Sequence, residues 1–131
     1  MRLLLDTHVA LWAVVDDPRL SAKARDLIGD PANEIFISAG SVWEIAIKHA
    51  LARGTKNDMP ISATEALEYF TDSGYRLLDI TPLHATGIET LPALHSDPFD
   101  RLLIAQALTE PLRLLTHDKR VASYSDTIIP V

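Results

Sequence analysis

Short apolar segments alternate with longer helical patterns along the chain, and this alternation constrains the fold more than any other feature. The apolar segments are nearly continuous runs, such as RLLLD and EIFIS, and lack the in–out alternation of a half-exposed strand. Runs of this kind are typical of a parallel sheet covered on both faces, since helical crossovers place helices against each face. We predict strands at 2–6, 34–38, 75–80, 113–116 and 127–129.

The segments between these strands carry helical patterns, with polar or proline residues at their starts and glycine near several of their ends. No Gly/Ser-rich linker, charge block or internal repeat interrupts the 131 residues. We therefore predict one domain over residues 1–131, an α/β/α sandwich around a central parallel sheet. The helices are expected at 7–15, 21–28, 41–53, 63–73 and 98–108, with shorter ones starting at Pro82 and after Asp118.

Composition excludes several classes of protein. The chain has no cysteine, which rules out a disulfide scaffold, a thiolate zinc site and a cysteine nucleophile. No apolar run approaches the roughly 20 residues that span a bilayer, so we expect a cytoplasmic protein that does not enter membranes. The net charge of −6 argues against holding nucleic acid by bulk electrostatics alone. Carboxylates loaded with a divalent metal could still form a positively charged site.

Five acids fall where such a site would form. Asp6 and Asp118 follow predicted strands, Asp97 and Asp100 begin a helix, and Glu44 lies in the first turn of another. Ligands of parallel α/β sheets bind at the carboxyl ends of the strands, beside helix N-termini. Acids brought together there repel one another, which raises their pKa values unless a cation neutralises them. Oxygen ligands of this kind suit Mg²⁺ or Mn²⁺.

Four of these acids also have a structural interpretation at a helix start. Asp6, Asp97 and Asp118 each precede a predicted helix, and Asp is a preferred N-cap. Asp100 would occupy the third helical position, where the helix dipole favours an acid. Burial after three leucines favours a functional role for Asp6, because an unpaired buried carboxylate is costly. For Asp97 capping and a supporting role in the site stay equally open.

Glu44 has a competing interpretation of its own. It stands three residues after Ser41, the spacing of a capping box, and four before Lys48, the spacing of a helical ion pair. Taken alone, this pattern favours a structural role.

Neighbouring polar residues leave further alternatives open. Thr7 and Thr116 could bond to carboxylates or phosphate, or make only local turn bonds. The spacing of His8, His95 and His117 matches no familiar zinc pattern, so a histidine metal site is not favoured. The basic residues beside the acids could contact the phosphates of a bound nucleic acid, although solvated surface charge is the simpler account; they are Lys48, Arg101, Lys119 and Arg120.

Four segments together carry a family resemblance: LLLDTHVALW, SAGSVWEIAIK, HSDPFDRLLIAQA and LLTHDKRV. In their order, spacing and flanking residues they resemble the PIN-domain ribonucleases, and among them the VapC-type toxins of bacterial type II toxin–antitoxin systems. The resemblance covers the whole chain. It implies an α/β/α domain whose acidic pocket holds Mg²⁺ or Mn²⁺. The family's acids fall on Asp6, Glu44, Asp100 and Asp118, with Asp97 as a less certain neighbour.

The resemblance implies a Mg²⁺-dependent endoribonuclease that hydrolyses RNA phosphodiester bonds. Asp6 and Asp100 are expected to bind the metal directly and Asp118 directly or through water. Glu44 is expected to position the attacking water or a second metal. The alternative is a non-catalytic PIN-fold module that binds RNA or protein, which the net charge favours and the intact set of acids opposes.

The resemblance also implies two protein partners. One is a second copy of the chain, with Trp12, Val15, Trp43 and Ile47 as interface residues, although Trp43 could instead pack into the core. The other is a VapB-like antitoxin. We expect its C-terminal segment to lay an apolar stretch beside the helix at 41–53 and to direct an Arg or Lys towards the acids, since guanidinium pairs well with carboxylates.

Overall fold

A parallel sheet of five strands forms the centre of the computed structural model, which describes residues 1–51 and 59–131. Its strand order is β3-β2-β1-β4-β5, and every neighbouring pair is parallel. The two outer strands are shorter than predicted, and the other strands lie where the apolar runs indicated. The strands are β1 (Arg2–Leu5), β2 (Glu34–Ser38), β3 (Arg76–Leu78), β4 (Arg113–Thr116) and β5 (Ile129–Pro130).

Seven α-helices in the described residues connect these strands and cover the sheet. A short 3₁₀ turn at Ile88–Thr90, which the sequence analysis did not predict, follows the fifth helix. Of these helices, none combines the length and the apolar character that a membrane crossing needs. They are α1 (Thr7–Val15), α2 (Ala22–Gly29), α3 (Ala39–Leu51), α4 (Ala63–Asp72), α5 (Pro82–Gly87), α6 (Pro98–Thr109) and α7 (Lys119–Ala122).

Alternate side chains of β1 reach opposite faces of the sheet. Leu3 and Leu5 pack into one apolar cluster with residues of α1 to α4, including the fully buried Phe70. Leu4 packs into a second cluster with residues of α6 and α7. A strand buried on both faces needs apolar residues at consecutive positions, which explains the continuous runs. The predicted three-layer α/β/α fold is therefore confirmed.

Helix α3 begins two residues earlier than predicted. The hydroxyl of Ser38 accepts a hydrogen bond from the backbone N–H of Gly40 at 2.9 Å, so the helix starts directly after β2. Gly40 also allows close packing, since a Cβ there would lie 2.8 Å from Cδ2 of Leu102 on α6. The predicted end of this helix at residue 53 lies outside the described residues. The close packing at Gly40 brings the start of α3 near α6. Because the helix begins at Ala39, Glu44 lies beyond its first turn, and the predicted first-turn position is wrong.

Of the two tryptophans expected at an interface, one is buried and one is exposed. Trp12, expected at an exposed interface, is only 8% exposed. Trp43, for which core burial was the alternative, is 56% exposed and meets Phe99 edge to face at 5.0 Å between ring centroids. Val15 and Ile47 are exposed as expected. Helix α3 therefore presents an apolar outer surface, whereas Trp12 belongs to the interior.

The order of the strands determines where a ligand can enter. Strands β2 and β3 lie on one side of the central β1. The chain then crosses back, so that β4 and β5 lie on the other side of β1. Leu5 stands beside Leu115 in the register of β1 and β4, so the residues after these strands meet at one edge. This switch in direction is where open parallel sheets form their ligand-binding crevice.

Candidate metal centre and active site

Asp6 follows β1 and is buried at this edge of the sheet. Its Oδ1 accepts from the backbone N–H of Val9 at 2.9 Å, which confirms the predicted N-cap of α1. Its Oδ2 accepts from the hydroxyl of Thr116 at 2.6 Å and from the backbone N–H of His117 at 3.3 Å. Burial raises the pKa of Asp6 above its ordinary value, although these hydrogen bonds and the charge of His8 oppose the rise.

Asp100 occupies the third position of α6 and points into the same crevice. Its Oδ2 lies 2.7 Å from Nε2 of His95. Burial raises the pKa of Asp100 to about 6; the charges of Asp97, Asp6 and Glu44 add to the rise, and the hydrogen bond from His95 opposes it. The predicted repulsion among the acids therefore contributes to the raised pKa of Asp100, but burial is the larger cause.

Asp118 is paired with a cation. Its Oδ1 accepts from the backbone N–H of Arg120 at 2.8 Å, which confirms the predicted N-cap of α7. The guanidinium of Arg120 also reaches both carboxylate oxygens, at 3.3 and 3.0 Å, and lowers the pKa of Asp118. The hydroxyl of Thr116 accepts from the backbone N–H of Asp118 at 3.0 Å while it donates to Asp6. Thr116 thus connects the two carboxyl-end acids.

Glu44 is buried and held from two sides. The hydroxyl of Thr7 donates to Oε1 at 2.6 Å, and Nζ of Lys48 lies 2.5 Å from Oε2, which confirms the predicted ion pair. The predicted capping box with Ser41 is wrong, because Ser41 lies inside α3 and its hydroxyl is 3.0 Å from that of Thr7. The carboxylate of Glu44 is therefore held in one position at the wall of the pocket.

Asp97 caps α6. Its Oδ1 accepts from the backbone N–H groups of Phe99 at 2.8 Å and Asp100 at 3.1 Å. The capping role, which the sequence left open, is confirmed. Asp97 also lines the pocket and adds negative charge beside Asp100.

His95, for which the sequence analysis did not favour a metal role, lies among the site residues. Its Nε2 lies 2.7 Å from Asp100 Oδ2 and 3.8 Å from Asp118 Oδ2, and its side chain is almost fully buried. Ligand atoms of these three residues all lie within 4.8 Å of one another, close enough to surround one cation. The only signal was its place in HSDPFD, five residues before Asp100.

Arg101 holds the segment that carries His95, so the alternative of an RNA contact is not supported by its geometry. Its Nη1 donates to the carbonyls of Pro92 at 3.0 Å and His95 at 3.2 Å, and to the hydroxyl of Tyr124 at 3.2 Å. The same hydroxyl accepts from the backbone N–H of His95 at 2.8 Å. The position of His95 beside Asp100 therefore depends on Arg101 and Tyr124.

One pocket of about 660 Å³ collects these groups. The four acids that the resemblance implied all line it, although Asp6 and Glu44 lie outside the compact three-residue group around His95. Oxygen donors predominate, and burial without a matching cation raises the pKa of Asp6 and Asp100. These residues fit a divalent cation such as Mg²⁺ or Mn²⁺. The other lining residues are Thr7, His8, Trp12, Arg19, Lys48, His95, Asp97, His117, Lys119 and Arg120.

Comparison with known proteins supports the interpretation of the fold. The PIN domain family matches residues 3–126. The chain is 34% identical over 123 residues to "Ribonuclease VapC22" of Mycobacterium tuberculosis, covering 93% of this chain and 91% of that protein.

Two solved structures have a similar fold. VapBC2 from Rickettsia felis, bound to a DNA fragment from its promoter, gives a TM-score of 0.69 at 18% identity, covering 100% of this chain and 98% of that one. DNA-bound VapBC from Salmonella typhimurium gives 0.67 at 17% identity, covering 100% and 97%. The chain belongs to the PIN-domain family and, within it, to the VapC-like proteins.

Proposed function

We propose that this protein is a Mg²⁺-dependent endoribonuclease, with Mn²⁺ as a possible substitute, that acts in the cytoplasm as the toxin of a VapBC-type module. The observation that carries the proposal is the burial of two acids with raised pKa values, Asp6 and Asp100, in a pocket that Glu44 and Asp118 also line. The likeness to a protein named as a ribonuclease supports it.

Asp6 and Asp100 would hold the metal, with Asp118 bound to it directly or through water. A divalent cation in such a pocket polarises the scissile phosphate and lowers the pKa of a bound water. Asp6 is oriented by Thr116 and by the backbone of α1, and Asp100 by His95. Because these hydrogen bonds exist before any ligand arrives, little reorganisation is needed at the reaction step.

Glu44 would position the water that attacks the phosphorus atom. Its carboxylate is held in one orientation by Thr7 and Lys48, and it adds to the pKa rise at Asp100, so it lies within electrostatic reach of the proposed metal ligands. A rigid acceptor of this kind selects one orientation of a bound water, which is the requirement for in-line attack.

The cations of the pocket would receive RNA phosphates. Lys48, Lys119 and Arg120 line the pocket, although Lys48 and Arg120 already pair with acids. With a net charge of −6 the chain has no overall excess of positive charge to attract RNA, so local cations would supply the contacts to the RNA backbone.

An antitoxin partner would use the outer surface of α3. Trp43, Ile47 and Leu51 recur every four residues along the helix and are exposed, which forms an apolar stripe on one face. We propose that a VapB-like antitoxin lays an apolar segment along this stripe and directs an Arg or Lys towards Asp6, Asp100 and Asp118. The similarity to VapBC structures supports a partner of this kind.

A homodimer remains a prediction. Val15, Trp43 and Ile47 are exposed and available for an interface, whereas the buried Trp12 is not. Light scattering at micromolar concentration tests it. A dimer mass is expected, and a monomer mass would contradict it.

Cleavage of RNA by the purified protein tests the proposed function. Labelled total RNA is incubated with Mg²⁺, with Mn²⁺ and with EDTA, using wild type, Asp6→Asn, and Asp72→Asn as a matched control at an exposed position outside the pocket. Cleavage is expected with either metal for wild type and the control, and with neither for Asp6→Asn. Cleavage that persists in EDTA contradicts the metal mechanism. RNA binding without cleavage under every condition favours the non-catalytic module.

A further inference from the structure

A group of aromatic rings forms one wall of the pocket, outside the acids. The indole of Trp12 lies at its centre and is buried. The imidazole of His117 meets it edge to face with 5.2 Å between centroids, and that of His8 is tilted against it at 6.0 Å. The guanidinium of Arg19 lies 5.1 Å from the indole centroid. Unlike Trp12, the two histidines are exposed, so core packing explains the indole but not the imidazoles.

The two histidines of this wall lie next to Asp6. His8 follows that residue by two positions in the chain, and the backbone N–H of His117 donates to its carboxylate. The ring of His117 is oriented by its Nδ1, 3.0 Å from the carbonyl oxygen of Val131. Two exposed histidines therefore border the carboxylate that is proposed to hold the metal.

We propose that His8 and His117, supported by Trp12, form a stacking subsite for an unpaired nucleobase next to the scissile phosphate. This inference rests on the proposed ribonuclease function and adds to it the recognition of single-stranded RNA. Proteins bind unstacked bases on aromatic side chains, and imidazole is among the rings they use.

The charge of the protein favours this form of recognition. Phosphate contacts weaken as salt rises, and a chain of net charge −6 can make few of them. Stacking on an aromatic ring is largely independent of charge and accepts every base, because each base has a π-face. The rings of His8 and His117 would therefore hold the single-stranded RNA, while the adjacent acids and their metal would act on its phosphate.

Two small probes separate base recognition from phosphate binding, and neither can be cleaved as RNA. Adenosine 5′-monophosphate and ribose 5-phosphate, each with Mg²⁺, are titrated into the ¹⁵N,¹³C-labelled protein, and the ring C–H signals of the histidines are followed by NMR. Ring-current shifts of His8 and His117 are expected with the nucleotide and not with the sugar phosphate. His84, which is fully buried in another part of the fold, should not respond. Equal shifts with both probes would overturn the proposal.

Substitutions then test the two rings. His8→Ala and His117→Ala should each weaken nucleotide binding by about 5-fold or more, since one stacked base is worth roughly that much. His8→Phe and His117→Phe keep an aromatic face and should restore it. Tyr69→Ala removes an exposed aromatic ring outside the pocket and is the matched control. Alanine variants that bind as tightly as wild type would overturn the subsite.

The outcome is distinguishable from a failure of the proposed function. Nucleotide stacking without RNA cleavage would leave the subsite in place and reject the nuclease. Metal-dependent cleavage whose kcat/KM on a single-stranded oligoribonucleotide is unchanged in both alanine variants would retain the nuclease and reject the subsite.

Discussion

Asp100 and Asp118 lie on either side of His95, yet their carboxyl groups are stabilised in opposite ways. Burial raises the pKa of Asp100 to about 6, and its nearest partner is the imidazole. The guanidinium of Arg120 lowers the pKa of Asp118, which also caps a helix. Asp118 therefore already has a guanidinium partner, whereas Asp100 has only the imidazole of His95.

The other two acids repeat this contrast. Asp6 is buried, accepts from Thr116 and backbone N–H groups, and has a raised pKa. Glu44 is buried as well, but the ammonium of Lys48 lies against it. A group of four acids in one pocket thus divides into two that need a cation and two that have one. A divalent metal should therefore be bound most strongly by Asp6 and Asp100. Neutralising a buried charge that has no other cation releases the most free energy.

The largest effect is expected on cleavage. Asp6→Asn and Asp100→Asn should each lower kcat/KM for RNA by about 100-fold or more, the scale seen when a group that stabilises transition-state charge is removed. Asp118→Asn should cost less, since Arg120 already neutralises much of its charge. Steady-state kinetics on a labelled oligoribonucleotide measures this, and equal losses in all three variants would remove the distinction.

Removing His95 should lower the affinity for the metal more than it lowers the stability of the fold. His95→Ala leaves Asp100 without its hydrogen bond, so Mn²⁺ affinity should fall roughly 10- to 100-fold, as for other residues that orient a metal ligand. His95→Gln, which can still donate, should recover part of the loss. Calorimetric titration with Mn²⁺ checks both, and an unchanged affinity in His95→Ala would show that Asp100 needs no orientation.

Asp100→Asn should stabilise the metal-free protein at neutral pH. The carboxyl group has a higher pKa in the folded state than its ordinary 3.8, so its contribution to stability is fully present below about pH 4 and is lost as pH rises through about 6. A shift of this size corresponds to roughly 3 kcal/mol at most, reduced by the weaker bond to His95 and the lost helix-dipole interaction. Urea unfolding in EDTA should show a net gain on the order of 1 kcal/mol at pH 7 and none at pH 4. A variant that unfolds instead would mark Asp100 as mainly structural.

The smallest effect is expected at the pair of Asp118 and Arg120. Arg120→Ala removes a positive charge from the pocket and frees the carboxylate, so Mn²⁺ affinity should rise by about 5-fold or less, the scale of a largely exposed ion pair. Arg76→Ala breaks the exposed pair with Glu34 outside the pocket and is the matched control. A fall in affinity would mean that the guanidinium helps to shape the site.

Local patterns were enough to predict most of the fold. The bounds of β2, β4 and α1 match the prediction, because continuous apolar runs and N-capping residues such as Asp6 act within a few residues of the chain. The convergence of the acids on one pocket follows from the same reasoning, since parallel strands end at one edge.

The features that escaped prediction depend on contacts between distant segments. The role of His95 is determined by Arg101 and Tyr124, which fix the irregular segment before α6. Trp12 is buried partly because His117, more than 100 residues later, packs against it. Neither relation leaves a periodic signal in the sequence.

Binding of Mn²⁺ to the RNA-free protein tests the division among the acids most directly. Electron paramagnetic resonance counts free Mn²⁺ during titration of wild type, Asp6→Asn, Asp100→Asn and Asp118→Asn. The division of the acids predicts that affinity falls by about 10-fold or more in the first two variants and by clearly less in Asp118→Asn. If Asp118→Asn loses the most affinity while Asp6→Asn and Asp100→Asn bind like wild type, the buried acids with raised pKa values do not hold the metal.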